Sequence, residues 1–108
     1  MANPELENHK LPLLFTPMTL KSVTVRNRIV VAPMCQYHSE DGGPTDWQMM
    51  HLGRLSTGGP GIIFGEETAV ESRGRKTYAC AGLYKNEHIP AYRRLTDFIR
   101  EQGAVPAV

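Results

Sequence analysis

The chain has 108 residues, 41% of them hydrophobic, which is enough for one small globular unit. Its formal net charge of +1 gives no electrostatic reason to expect nucleic acid or an anionic membrane as a partner, and its apolar runs are too short to span a bilayer. The polar first ten residues do not form a signal peptide, and the spacing of the two cysteines does not suit a zinc site, so we expect a reducing cytoplasm.

The first elements are predicted in residues 13–32. Residues 1–12 are expected to form a flexible tail. Apolar and polar residues then alternate from 18 to 25, which predicts a short hairpin turning at Lys21 and Ser22. Residues 28–32 are a largely β-branched run that ends at Pro33, which is typical of a strand buried on both faces of a parallel sheet.

A helix and a second strand follow. Thr45 and Asp46 provide the chemistry of a helix N-cap, and residues 47–55 place apolar side chains at helical spacing. These side chains are Trp47, Met50, Leu52 and Leu55. The glycine-rich residues 57–61 end the helix, and the apolar residues 62–64 predict a second buried strand.

The last predicted elements come after a long polar connection at residues 68–83. Residues 89–102 predict a second helix, with Pro90 in its first turn and Gly103 at its C-terminal stop. Leu95, Phe98 and Ile99 would lie on one face of this helix. Residues 104–108 look like the opening of a third strand.

This alternation of strands and helices predicts an α/β fold built from βαβ units around a parallel sheet. Two and a half βα units cannot close an eightfold barrel, which needs about 250 residues. The chain is therefore expected to be either a small open sandwich or a piece of something larger, and its ending within a strand favours the piece.

Residues at the carboxyl ends of the strands are the candidates for chemistry, because active sites of βα proteins lie there. Residues 33–37 follow the first strand and include Met34, Cys35 and Tyr37. Cys35 could tune a redox cofactor or be an ordinary buried thiol, and Tyr37 could donate a proton or only pack. Glu66 and Glu67 follow the second strand, but neighbours on a strand point to opposite faces, so a coupled carboxylate pair is not expected.

Three other polar clusters are more simply interpreted as structural. Residues 26–28 could clamp a ligand but form the kind of charge cluster that often precedes a strand. Residues 58–61 precede a strand instead of opening a helix, so they predict a turn and not a phosphate cradle. Residues 73–75 could contact a phosphate or form a solvated turn, and the turn is preferred.

Taken together, these motifs resemble the Old Yellow Enzyme family of FMN-dependent ene-reductases, in its thermophilic-like branch (the YqjM and xenobiotic reductase A type). The likeness extends from Leu13 to Val108, and its most specific part is residues 25–37. The further matching segments are residues 14–17, 46–52, 61–63, 66–70, 73–75 and 80–88.

The resemblance implies a (β/α)8 TIM barrel, of which this chain covers the N-terminal hairpin and roughly the first two and a half βα units. FMN would lie at the carboxyl ends of the strands, with backbone contacts from Pro33 and Met34. Cys35 would modulate the flavin, and Tyr37 would hydrogen-bond near the substrate carbonyl. Glu67 stands where the family commonly has a small residue whose backbone approaches the flavin.

The implied reaction reduces the C=C bond of α,β-unsaturated carbonyl compounds, with NAD(P)H as the reductant and FMN as the hydride carrier. The residues that bind the carbonyl and the flavin phosphate would come from the rest of the barrel, supplied as a covalent or separate chain. The resemblance also implies a homo-oligomer of the complete enzyme. The alternatives are a non-catalytic fragment that complements a partner half, and an unrelated βα binding module.

Overall fold

The computed structural model describes residues 10–108, so most of the tail predicted at residues 1–12 lies outside the described residues. Within these residues the elements are seven strands and two α-helices, joined by short 3-10 turns at Leu13–Phe15, Ser72–Gly74 and Asn86–His88. The strands are β1 (Met18–Leu20), β2 (Val23–Val25), β3 (Val30–Val31), β4 (Ile62–Phe64), β5 (Thr68–Ala69), β6 (Ala81–Gly82) and β7 (Val105–Ala107). The helices are α1 (Asp46–Ser56) and α2 (Ile89–Glu101).

A parallel three-stranded sheet in the order β3-β4-β7 is the frame of the fold. Helix α1 connects β3 to β4, and α2 precedes β7, so the predicted βαβ order is confirmed. The predicted hairpin is also confirmed: β1 pairs with β2 in antiparallel register, and Lys21 in its turn has a φ of 52°. This arrangement places the carboxyl ends of β3 and β4 at one edge of the sheet.

The hydrophobic core lies between the sheet and the two helices. Ile63 projects from β4 towards Leu52 of α1 and towards Leu95 and Ile99 of α2, and all four are buried. Gly103, with a φ of 90°, follows the end of α2, and Ala104 enters the same core. Burial of apolar area here stabilises the helix layer on one face of the sheet.

Three expectations about these elements are wrong in detail. Val30 is 46% exposed, because Val31 faces the core and the Val30 side chain points to the opposite face of the sheet, which neither helix within residues 10–108 covers. Trp47 and Met50 lie on the exposed side of α1 and not in its core stripe. The connection at residues 68–83 is not only loop, since β5 and β6 within it form a parallel pair.

Tyr92 connects α2 to β6, and its phenol leads to a prediction of how the free energy of unfolding changes at alkaline pH. Its hydroxyl donates a hydrogen bond to the carbonyl oxygen of Gly82 at 3.0 Å, and burial raises its pKa to about 12. The raised pKa means that the fold favours the neutral phenol. The stabilisation by the phenol is therefore fully present below about pH 10, the pKa of tyrosine in the unfolded chain, and is lost as the pH rises towards 12. We expect Tyr92→Phe to cost about 1 kcal/mol at pH 8.

Chemical denaturation at several pH values measures this effect. The difference in unfolding free energy between the wild type and Tyr92→Phe should narrow between pH 10 and pH 12. Parallel stability curves across that range would show that the phenol is not held neutral by the fold.

Candidate active site

Residues 33–37 leave β3 at the carboxyl edge of the sheet and present backbone groups to solvent. Pro33 and Met34 are exposed and Cys35 is half-buried, so Cys35 is not the fully buried thiol of the structural alternative. Within residues 10–108 the N–H groups of Met34 and Cys35 have no hydrogen-bond partner. Exposed main-chain donors next to a thioether and a thiol can bind the polar edge of a planar heterocycle, while the side chains contact its face.

Tyr37 marks the point at which this loop reverses. Its φ of 56° is in the left-handed region, which is uncommon for a residue with a side chain. The ring is half exposed, so packing does not explain the conformation. Such backbone strain persists only when surrounding contacts over-determine it, and it is often found at functional sites.

Glu66 is the central support of the loop. It lies just after β4 and is buried, with 8% of its surface exposed. Its Oε2 accepts a hydrogen bond from the backbone N–H of Gln36 at 3.2 Å, and its Oε1 accepts one from Nε2 of Gln48 at 3.1 Å. A buried carboxylate with a donor on each oxygen is well satisfied, and here it ties the loop after β3 to the end of β4.

The first turn of α1 orients Gln48 for this contact. Thr45 and Gln48 form a capping box, in which Oε1 of Gln48 accepts from the backbone N–H of Thr45 at 2.8 Å. The amide nitrogen of Gln48 is then free to donate to Glu66 and to Oγ of Ser39, each at 3.1 Å. The N-cap predicted from the sequence therefore also holds the network under the loop.

The side chain of Gln36 completes the support on the outer side. Its Oε1 accepts a hydrogen bond from Nε1 of Trp47 at 3.0 Å, and its Nε2 donates to the carbonyl oxygen of Met34 at 3.2 Å. The Trp47 ring stacks on His38, with ring centroids 4.0 Å apart. Trp47 is exposed because it contacts Gln36 and His38 of this loop and does not pack in the core.

Glu67 diverges from its neighbour, as the strand geometry predicted. Its side chain is half exposed, and its Oε2 lies 2.7 Å from Nζ of Lys76. The hydrogen bond to Glu67 and the charge of its carboxylate hold the pKa of Lys76 above its ordinary value. Three loops thus bring Cys35, Tyr37, Glu67 and Lys76 to the same edge of the sheet.

The polar clusters at residues 26–28 and 73–75 make structural contacts, as interpreted from the sequence. The Arg26 guanidinium donates to the carbonyl oxygens of Pro60 and Gln102, and Nδ2 of Asn27 donates to the carbonyl oxygen of Gly59 at 2.7 Å. These contacts tie together the amino ends of the strands, away from residues 33–37. Residues 73–75 form a turn, in which Arg73 pairs with Glu71.

A cavity of about 280 Å³ lies on the helix side of the sheet, between α1 and α2. Its lining includes core side chains such as Leu52, Ile63 and Leu95, together with Tyr92. Neither Cys35 nor Tyr37 lines it. The cavity therefore extends from the core to the Gln48–Glu66 contact beneath the loop, and the candidate site is the open edge formed by the loops.

Sequence reasoning singled out Pro33, Met34, Cys35, Tyr37 and Glu67, and the structure places all five at this edge. The sequence did not identify Gln36, Gln48 and Lys76, whose side chains contact and hold these loops. The capping-box spacing of Thr45 and Gln48 was a signal for one of them, whereas the Lys76 pairing spans nine positions of irregular chain and has no local signature.

The parallel sheet and its helix layer define the class of the fold, an N-terminal α/β portion of a TIM barrel. Residues 13–108 match the profile of the NADH:flavin oxidoreductase / NADH oxidase family, and the chain belongs to this family, the Old Yellow Enzyme family, as its N-terminal portion. It is 43% identical over 90 residues to an NADH:flavin oxidoreductase of Gibberella zeae, and 42% identical over 93 residues to an NADPH dehydrogenase of Bacillus subtilis. The resemblance drawn from the sequence is confirmed.

The match covers most of this chain and about a quarter of its relatives. The two alignments include 83% and 84% of the chain, but only 22% and 28% of the respective relatives. The old yellow enzyme of Trypanosoma cruzi superposes with a TM-score of 0.75 at 26% identity, over 88% of this chain and 26% of that structure. The predicted fold class, an N-terminal α/β portion of a TIM barrel, is confirmed.

Proposed function

We propose that residues 13–108 form the flavin-facing edge of an FMN-dependent NAD(P)H ene-reductase, as the first part of its (β/α)8 barrel. The observation that carries the proposal is the loop at residues 33–37, in which the N–H groups of Met34 and Cys35 have no partner within residues 10–108 while buried Glu66 holds the loop in place. A rigid row of main-chain donors at the carboxyl edge of a parallel sheet fits the polar rim of a flavin.

FMN, when bound, supplies the hydride chemistry that connects NAD(P)H to the substrate. The chain's own residues position the reactants. Backbone groups of Pro33 and Met34 would bind the flavin ring system, and the backbone at Glu67 would approach it from the second strand. Cys35 would lie against the ring, where a polarisable thiol changes the electron density of its surroundings.

Tyr37 is proposed to bind the substrate, an α,β-unsaturated carbonyl compound. Its half-exposed ring leaves the phenol accessible to a ligand. A hydrogen bond from the phenol near the carbonyl oxygen would stabilise the negative charge that develops there as hydride reaches the β-carbon. The strained backbone at Tyr37 is consistent with a side chain held in place for this purpose.

The remaining functions of the active site are assigned to the rest of the barrel, because the chain spans about a quarter of its relatives. These functions are binding of the flavin phosphate and of the carbonyl oxygen. We further propose that the complete protein is a homo-oligomer and is cytoplasmic. The free thiols of Cys35 and Cys80 support only the second part, a reducing compartment. No helix within residues 10–108 has the length and apolar character needed to cross a membrane.

A chimera tests the proposed function. Residues 1–108 are joined to the complementary portion of the Bacillus subtilis NADPH dehydrogenase, and the product is compared with residues 1–108 alone. We expect the chimera to show flavin absorbance and to reduce cyclohexenone with NADPH, and the isolated chain to be colourless. A folded chimera without flavin would overturn the proposal, while one that binds flavin but reduces no enone would favour a non-catalytic role.

The role of Cys35 is tested by Cys35→Ala in the complete, flavin-loaded barrel. Loss of the thiol beside the ring should shift the flavin reduction potential by about 30 mV or more, the two-electron equivalent of about 1.4 kcal/mol. Anaerobic dye-coupled reduction measures the shift. Cys80→Ala is the matched control, because Cys80 is buried beside Thr77 and should leave the potential unchanged.

A further inference from the structure

The ion pair of Glu67 and Lys76 lies where three loops of the candidate site meet. The loop after β3 contacts the end of β4 through the Gln36 N–H and Glu66, next to Glu67. Two residues beyond Tyr37, the backbone N–H of Ser39 donates to the carbonyl oxygen of Ala79 at 3.0 Å, which holds that loop against the segment containing Lys76. The Lys76 ammonium is thus held at the same edge as the loop that carries Cys35 and Tyr37.

Lys76 is accessible and only partly engaged. Its side chain is 54% exposed and that of Glu67 is 55% exposed, so the pair faces solvent. Glu67 is its one salt-bridge partner within residues 10–108. An ammonium has three N–H donors, so at least one remains for a ligand after Glu67 is bound.

We propose that Lys76 is a specificity-determining residue, whose ammonium binds a carboxylate carried by the unsaturated carbonyl substrate. The proposal rests on the proposed function, since it requires the substrate to lie over Cys35 and Tyr37. The favoured substrates are then α,β-unsaturated carbonyl compounds with a second, anionic group. Glu67 keeps the ammonium directed at the site when no substrate is bound.

The electrostatics favour binding of a substrate carboxylate to the Lys76 ammonium. An exposed ion pair such as Glu67–Lys76 is weak, because water and salt screen it and both side chains lose entropy. A substrate bound over Cys35 and Tyr37 displaces water from the ammonium, and a charge-assisted hydrogen bond in that setting is stronger than the exposed pair. The difference is expected to favour a carboxylated substrate over its neutral ester by about tenfold.

The experiment uses the complete, flavin-loaded barrel and two probes, a cyclohexenone bearing a ring carboxylate and its methyl ester. The ratio of kcat/KM for the carboxylate to that for the ester is measured in the wild type, Lys76→Met and Lys76→Arg. We expect the ratio to fall about tenfold in Lys76→Met, mostly through KM, and to be largely kept in Lys76→Arg. Lys85→Met is the control, since Lys85 pairs with Asp41 and not with Glu67, and its ratio should match the wild type.

Two further measurements complement the kinetics: the first needs no turnover, and the second needs no variant. The Kd of the saturated carboxylated ketone, followed by the change in flavin absorbance, should rise about tenfold in Lys76→Met. In the wild type, raising the ionic strength should reduce the carboxylate-to-ester ratio.

An unchanged ratio in Lys76→Met, or a wild-type ratio that salt does not alter, would overturn the proposal. Equal losses on both probes would do the same, because they would indicate a structural role for Lys76. In all of these cases a wild type that reduces the ester leaves the proposed function standing. A barrel that binds no flavin or reduces neither probe would instead refute the proposed function.

Discussion

Glu66→Gln is expected to destabilise the protein by about 2–3 kcal/mol and to weaken flavin binding, because buried hydrogen bonds to a charged acceptor contribute this much. Both carboxylate oxygens of Glu66 accept hydrogen bonds, one from the Gln36 backbone and one from Gln48. A glutamine has one carbonyl oxygen, so its amide nitrogen would face one of these two donors. One of the two hydrogen bonds that hold the loop at residues 33–37 would then be lost, and its donor would be left without a partner.

Thermal unfolding and flavin titration of the complete barrel measure both effects. A loss of that size should lower Tm by about 4–12 °C in a domain of barrel size. Glu67→Gln is the matched control, one residue away and half exposed, and it should cost less than about 1 kcal/mol. If the two substitutions had equal effects on Tm, the supporting role assigned to Glu66 would be wrong.

Gly61→Ala is expected to destabilise the fold by about 3 kcal/mol, the upper part of the usual cost of overpacking. A Cβ atom at position 61 would lie 2.3 Å from the backbone oxygen of Asn27. Main chain cannot move aside there, because the Gly61 N–H donates to the carbonyl oxygen of Ile29 and the Gly61 carbonyl oxygen accepts from the Val105 N–H, both at 2.9 Å. The substitution would push β3 away from β4 at the start of both strands.

Denaturant unfolding of the complete barrel checks this prediction against Gly74→Ala. Gly74 is an exposed turn residue, and an added Cβ would be 3.8 Å from that of Ala69, an ordinary contact. That control should stay within about 0.5 kcal/mol of the wild type. A Gly61→Ala protein as stable as the control would show that the strands can separate at this point without cost.

The elements that depend on local signals could be predicted from the sequence. The Thr45 cap, Pro90 in the first turn of α2 and Gly103 after its end each satisfy a local backbone requirement, so both helices were predicted within a residue or two. The β-branched and apolar runs located β3 and β4 in the same way. The positions of Pro33, Met34, Cys35 and Glu67 then followed from one rule, that loops leaving parallel strands share an edge.

The features that depend on distant partners could not be predicted. Trp47 fits an apolar helix stripe by spacing, and only its contact with Gln36 explains why it faces outward. The short strands β5 and β6 have no periodic pattern of their own and exist because they pair with each other. The sequence predicts that Glu66 and Glu67 point to opposite faces. Which of the two is buried depends on Gln48, 18 positions away from Glu66.

The contacts of Arg26 and Asn27 have a consequence for how such a protein changes over time. They lock the amino ends of the strands, whereas Glu67 and Lys76 lie on loops at the carboxyl ends. Substitutions in the loops at the carboxyl ends can therefore accumulate without breaking the contacts at the amino ends. Selection can then act on substrate preference separately from folding. The Glu67–Lys76 pair is the kind of feature that one lineage can acquire while its relatives keep the same barrel.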